Sequence, residues 1–396
     1  MNSSAAPVSI VLPTFNRARY AVAALDSLLA QTLPAARIIV VNDGCSDETG
    51  EVMRAYGARI EYIEKPNGGK CSAINAALAR ATDEYLWVFD DDDIACPDAL
   101  QRHVDALERQ RDAGFTISGS YRCHNAADGM TLEVVRPQPV RPFADDDHLL
   151  ELLLSSYIAG PSTMIRRELV DRVGPYREDL ARVDDFEMAL RLSLVTRPTR
   201  LADARPTYYR RWHLGLRGWA GQRFDYAQSV ERSRREERLV LRDMREQLTL
   251  PHYLPRAAWG QTLDTAAERR ARMRRWVVAL QKGMWDEAQD ELAQLRDLEL
   301  TRGEMSALEI VWACRAFSDL NTLTDMQAHP AELASLGRAL ADARLAGLKH
   351  AALRQSIYHL RTALEERDWH RLRLTAGFAR RALLPALLGR GGNSAP

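Results

Sequence analysis

Over the first hundred residues, short apolar runs rich in β-branched side chains alternate with segments whose apolar residues recur every three or four positions. "VSIVLPT", "ARIIVVNDG", "RIEYIEK" and "EYLWVFD" read as strands, since each is a compact apolar stretch closed by a polar or turn-forming cluster. Between them "ARYAVAALDSLLAQ", "DETGEVMRAYG" and "CSAINAALARA" keep apolar residues at helical spacing. Strand and helix in regular alternation predict an α/β domain with a mostly parallel sheet and helices on both faces. In such sheets ligands gather outside the carboxyl ends of the strands. "PTFNR", "NDGCSDET", "KPNGGK" and "DDDD" all fall at those ends.

From Pro97 the pattern continues with a helix to about Arg111, a strand near "FTISGSYR", a helix near "LLELLLSS" and a mixed segment to about Tyr209. Beyond Arg223, β-branched runs thin out and Arg- and Glu-rich helical segments take over. The expected division is an α/β domain over 1–222 and an all-α C-terminal region over 223–396. Within the latter, "ALQKGMWDEAQDELAQL" from Ala279 and "ALEERDWHRLRLTAGFA" from Ala363 share a rhythm, as divergent helical hairpins would.

Composition narrows the function. The 396 residues exceed one ordinary core, and 46% apolar content excludes a disordered chain. Lys and Arg balance Asp and Glu at 54 each, so no global basic field argues for a nucleic-acid partner. Cys45, Cys71, Cys96, Cys123 and Cys314 lack paired spacing, which points to a reducing cytoplasm rather than a disulfide framework. The N-terminus does not read as a signal peptide, and no apolar run reaches the roughly 18 residues that span a bilayer. "FARRALLPALLGRGG" is basic and apolar, as expected for a peripheral contact with an anionic, cytoplasmic membrane face.

The stretch "EYLWVFDDDDIACPDAL" sets the chemical problem, because Asp90, Asp91, Asp92 and Asp93 repel one another unless a positive partner is present. Carboxylate oxygens suit a hard divalent cation, Mn2+ or Mg2+, far better than zinc or copper.

Together these motifs resemble glycosyltransferase family two, inverting enzymes of the Rossmann-like GT-A fold, over roughly residues 8–217. "VSIVLPTFNRARYAVAALDSLLAQT" is similar to the family's opening strand, turn and helix, which puts Pro13, Thr14 and Asn16 at the nucleotide edge. "IIVVNDGCSDET" resembles the second signature and implies that Asp43 accepts a hydrogen bond from the base. "KPNGGKCSAINAAL" resembles the Gly-rich turn before a helix, so Asn67, Gly69 and Lys70 are expected at the donor, with the helix N-terminus favouring its diphosphate. "FDDDD" stands where the family carries Asp-any-Asp. The resemblance implies Asp90 at the ribose, Asp92 on the metal and Asp91 within the donor edge, although many residues are tolerated at Asp91's place. "ARVDDFEMALRLSLV" resembles the acidic pair that opens a helix and implies Asp185 as the general base, with Asp184 where the family often has Glu. "YYRRWHLGLRG" is similar to a later Arg-and-His segment, so Arg210 and Arg211 are expected near phosphate and His213 on the metal. Tyr208 stands where processive synthases of the family carry Gln, which favours a non-processive enzyme.

The reading is a metal-dependent inverting glycosyltransferase. It would move sugar from a nucleotide donor, UDP-linked by expectation, to a carbohydrate, lipid-linked or other hydroxyl acceptor in glycan or glycolipid assembly. Two alternatives stay open: a sugar-nucleotide pyrophosphorylase, whose phosphate loop "LPTFNRARY" lacks, and a non-catalytic adaptor built on the helical half.

Overall fold

The computed structural model describes residues 5–140, 147–203, 205–212, 217–219, 222–224, 226–298 and 305–388. The chain divides into two compact units, Met1–Glu237 and Arg238–Pro396. In the first, β1 (Ala6–Thr14), α1 (Ala18–Leu29), β2 (Ala35–Asn42), α2 (Thr49–Arg54), β3 (Glu61–Glu64), α3 (Lys70–Leu78) and β4 (Tyr85–Val88) succeed one another. There follow β5 (Ile94–Ala95), α4 (Ala99–Arg109), β6 (Ala113–Ile117), β7 (Ser120–Asn125), β8 (Leu132–Gln138), α5 (His148–Leu154), β9 (Met164–Arg166) and α6 (Arg167–Val173). The remainder is α7 (Asp184–Val195), β10 (Arg197–Arg200), β11 (Tyr208–Trp212) and β12 (Arg217–Trp219) paired with β13 (Gln222–Phe224), and α8 (Tyr226–Asp243) begins in this unit and ends in the second.

Seven strands form the main sheet in the order β10-β6-β9-β4-β1-β2-β3. β1 pairs in parallel with β2 and β4, and β2 with β3, while β9 runs antiparallel between β4 and β6. Eight of the nine β1 residues are buried, which is why this strand is apolar without alternation. α1 buries Ala21, Ala24, Leu25 and Leu28 at helical spacing against this core. Because β1 lies between β2 and β4, their carboxyl ends sit side by side. Thr14, Asp43 and the Asp90–Asp93 run therefore share one edge.

"FTISGSYR" is not one strand. β6 belongs to the main sheet and β7 to a second, four-stranded sheet of order β5-β11-β7-β8. The chain changes sheets at Ser118 and Gly119. Ser118 donates its amide to Ser162 O (2.9 Å) and shares a hydroxyl hydrogen bond with Thr207 (2.6 Å). A side chain at position 119 would meet Gln138 O at 2.5 Å, so only glycine lets β7 leave there. The second sheet brings β11, with Arg210 and Arg211, alongside β5 and the aspartate run.

The second unit is helical: α9 (Thr265–Gln281), α10 (Trp285–Asp297), α11 (Ala307–Arg315), α12 (Leu320–Ala328), α13 (Pro330–Ala341), α14 (Ala346–Glu365), α15 (Trp369–Phe378) and α16 (Leu384–Leu387). The two similar sequence stretches close the same way. Gly283 (φ 66°) and Arg367 (φ 54°) are left-handed, Met284 N donates to Ala279 O (2.8 Å) and Asp368 N to Ala363 O (2.9 Å). Trp285 and Trp369 then open the following helices. Both are Schellman turns joining paired helices, α9 with α10 and α14 with α15. No helix of the described residues is long and apolar enough to cross a membrane.

Candidate active site

The edge formed by the ends of β1 and β2 is braced internally. Thr14 ends β1 and donates its hydroxyl to Asp91 (2.9 Å), while Pro13 is buried in register with Val41. Asn16 adopts φ 52°, a left-handed conformation that asparagine tolerates. Its Oδ1 accepts from Ser46 N (2.7 Å) and Asp47 N (3.3 Å), stitching the β1 turn to the loop after β2. Asp43 is buried and fully engaged. It accepts from Lys65 Nζ (2.7 Å), Asn67 Nδ2 (3.1 Å), Gly68 N (3.0 Å) and Gly69 N (2.7 Å). The anion held by the turn before α3 is thus Asp43's own carboxylate, and Gly69 reaches it at φ 90°.

The aspartate run divides by direction. Asp91 is buried, its oxygens taken by Thr14 and by Arg17 Nη1 (2.8 Å), and the same Nη1 reaches Asp92 Oδ2 at 2.9 Å. Burial opposes the charge on Arg17, but Asp91, Asp92 and Asp90 outweigh it and raise its pKa. Ligand-capable oxygens of Asp90, Asp92 and Asp93 all lie within 4.8 Å of one another. Asp93 is buried, and burial, with Asp92 and Asp90 beside it, pushes its pKa well up. An all-carboxylate set of this kind fits Mn2+ or Mg2+. Arg211 supports the run from behind: its amide donates to Asp93 Oδ1 (2.9 Å), its Nε to Asp92 O (3.0 Å), and its guanidinium also bonds Asn125 and lies over the Tyr20 ring.

Lys70 joins this run to the acidic pair of α7. Its Nζ lies 2.9 Å from Asp90 Oδ1 and 3.0 Å from Asp184 Oδ2. Burial disfavours its charge, yet Asp184, Asp90 and Asp185 hold its pKa well above the ordinary value. Asp184 is buried on Lys70, whereas Asp185 is half-buried and spends Oδ1 on Phe186 N (2.8 Å). Burial, then Asp184, push Asp185 up to about 7 against the pull of Lys70. The loop entering α7 is held from α8, where Glu236 accepts from Ala181 N and Arg182 N (2.8 Å). Arg210 is exposed, and Tyr208, Asp93, Asp185 and Asp90 raise its pKa. His213 lies outside the described residues.

Sequence reasoning assigned no role to Arg17 or Glu236. The first had a signal, a basic residue in "PTFNR" at the same strand-end edge as four aspartates. The second had none, since nothing local marks a helical Glu as the cap of a distant loop.

Residues 9–174 match the family model described as glycosyl transferase family 2. A Rickettsia felis protein named an uncharacterized glycosyltransferase is 34% identical over 183 residues, 46% of this chain and 30% of that protein. The chondroitin synthase of Pasteurella multocida is 41% identical over 97 residues, 24% of this chain and 10% of the synthase. The chain therefore spans under a third of the length of these two relatives. Among solved structures, S. aureus TarS residues 1–349 is 17% identical with a TM-score of 0.49, covering 78% of this chain and 84% of that one. The segment that carries this similarity to glycosyl transferase family 2, residues 9–174, includes Thr14, Asp43, Lys70 and the whole aspartate run.

Proposed function

We propose that the chain is a metal-dependent, inverting glycosyltransferase that moves one sugar from a nucleotide donor, UDP-linked, to an acceptor hydroxyl without processive extension. The observation that carries this reading is Lys70, whose single ammonium ties the Asp90–Asp92–Asp93 cluster to the Asp184–Asp185 pair. A donor-side cation site and a carboxyl group with a pKa near 7 thereby share one site. The synthase among the relatives supports carbohydrate as the acceptor class.

Asp90, Asp92 and Asp93, joined by His213, would hold Mn2+ or Mg2+, which supplies positive charge against the departing nucleoside diphosphate. The Gly69 turn, released from Asp43 or sharing it, and Arg210 face that diphosphate. Asp43 lies with Asn67 at the base. The acceptor oxygen forms its bond to the anomeric carbon as the bond from that carbon to the diphosphate oxygen breaks. Asp185 Oδ2, which has no hydrogen-bond partner among the described residues, takes the acceptor's proton. The helical region from 223 onward serves acceptor or partner binding in this reading.

UDP with Mn2+ is expected to raise the melting temperature far more than UDP alone, because Asp92 approaches a diphosphate only through the ion. A ligand at a hundredfold excess over Kd adds about 2.7 kcal/mol of apparent stability. Equal shifts with and without metal, read by thermal denaturation, would remove the donor-site assignment. A panel of nucleotide sugars, followed for slow donor hydrolysis, then names the donor.

A further inference from the structure

The chain as a whole carries no net charge, but residues 343–396 hold ten Lys and Arg against three Asp and Glu, a balance of plus seven. Those three acids, Glu365, Glu366 and Asp368, cluster at the α14–α15 turn, where Arg361 and Arg371 pair with them. From Trp369 onward there is no carboxylate side chain at all. Arg373, Arg380 and Arg381 are exposed and make no ion pair among the described residues.

Exposed apolar side chains coincide with this charge. Trp285 and Trp369 hold equivalent places after the two Schellman turns, yet Trp285 is 9% exposed and Trp369 is 71% exposed. Leu364, on the other side of the same turn, is 63% exposed, and Leu384, Leu387 and Leu388 are about half exposed. Trp369, Arg373, Arg380, Leu384 and Leu387 follow one another at helical spacing along α15, the wide turn at Ala379–Leu383 and α16. The outer face of this hairpin is therefore an apolar and arginine stripe, where the equivalent tryptophan of the other hairpin is packed.

We propose that this face, α14 to α16, lies against an anionic phospholipid bilayer. A second copy of the same face would bring like charge against like. Tryptophan, leucine and arginine interleaved along one helical side suit a headgroup boundary, where the rings and leucines enter the acyl edge and the arginines reach up to phosphate. The inference goes beyond the glycosyl-transfer reading and does not depend on it.

The test is co-sedimentation of the full chain with vesicles of phosphatidylglycerol and phosphatidylcholine, against phosphatidylcholine alone, at about 0.05 and about 0.5 M salt. Binding is expected only to the anionic vesicles and only at low salt. The triple change Arg373→Glu, Arg380→Glu and Arg381→Glu should weaken partitioning by at least about a hundredfold. Leu384→Ser with Leu387→Ser should weaken it at constant charge. All substituted side chains are exposed, so an unchanged melting curve verifies the fold. Equal binding to neutral vesicles, no binding to anionic ones, or wild-type partitioning of the triple variant would overturn the proposal. So would a vesicle-independent dimer, seen by light scattering, that the same substitutions dissociate.

Discussion

Asp185→Asn is expected to reduce transfer by about a hundredfold to ten-thousandfold, the usual cost of losing a general base, with donor affinity nearly unchanged. Asparagine keeps the size of the side chain and can still accept from Phe186 N, but it cannot take the acceptor's proton. With Asp185 raised to about 7, wild-type transfer should climb with pH through about 7 and level off above it. The same shift sets the sign of its effect on stability. The folded protein holds this proton more tightly than the unfolded chain, so the contribution is complete below the ordinary carboxylate range and is lost as pH rises through about 7. The asparagine variant should therefore match or exceed wild-type stability at pH 8. Transfer kinetics, UDP titration and melting curves at pH 6 and pH 8 decide the matter. Near-normal turnover in the variant would move the base elsewhere, to Asp184 first, although Asp184 is already committed to Lys70.

Arg17→Ala should act on stability and on metal together. Arg17 is the cation that Asp91 and Asp92 share, and Asp91 is only 6% exposed. Removing one partner of a buried ion pair costs about 3 to 5 kcal/mol, which in a unit of this size corresponds to a fall in Tm of roughly 10 °C. Mn2+ alone should then stabilise the variant more than the wild type, since the ion no longer competes with a guanidinium for Asp92. A gain in Mn2+ affinity of about tenfold, measured by calorimetry without nucleotide, is the expected size by the Coulomb energy of a screened pair. If the variant melts with the wild type, or if Mn2+ helps it less, Arg17 does not stand in for the ion.

The local pattern carried much of the fold. Four apolar runs closed by turn clusters, with amphipathic segments between them, are enough to place Thr14, Asp43, Lys70 and the aspartates at one sheet edge. The rhythm shared by Ala279–Leu295 and Ala363–Ala379 foreshadowed two hairpins closed by one turn type. It gave no hint that Trp285 would be packed and Trp369 left out, because the two positions differ only in what stacks on them. "FTISGSYR" reads as a single strand since nothing local breaks it. The break is made by Ser162, Thr207 and Gln138, all brought in from elsewhere in the chain.

Four adjacent carboxylates in need of a cation, an acidic pair opening a helix, and a glycine turn before another helix are all explicit in the linear chain. Those are matters of residue type and short spacing, which the chain states directly. Tertiary structure alone decided how the charges are apportioned. Arg17 neutralises Asp91 and Asp92, Lys70 ties Asp90 to Asp184, and Glu236 fixes the loop before Asp185. A carboxylate's pKa depends on burial and on charges a few ångströms away, and those neighbours come from strands and helices far apart in the chain. Asp185 is pushed up to about 7 by burial and by the neighbouring Asp184, whose own carboxylate pairs with Lys70.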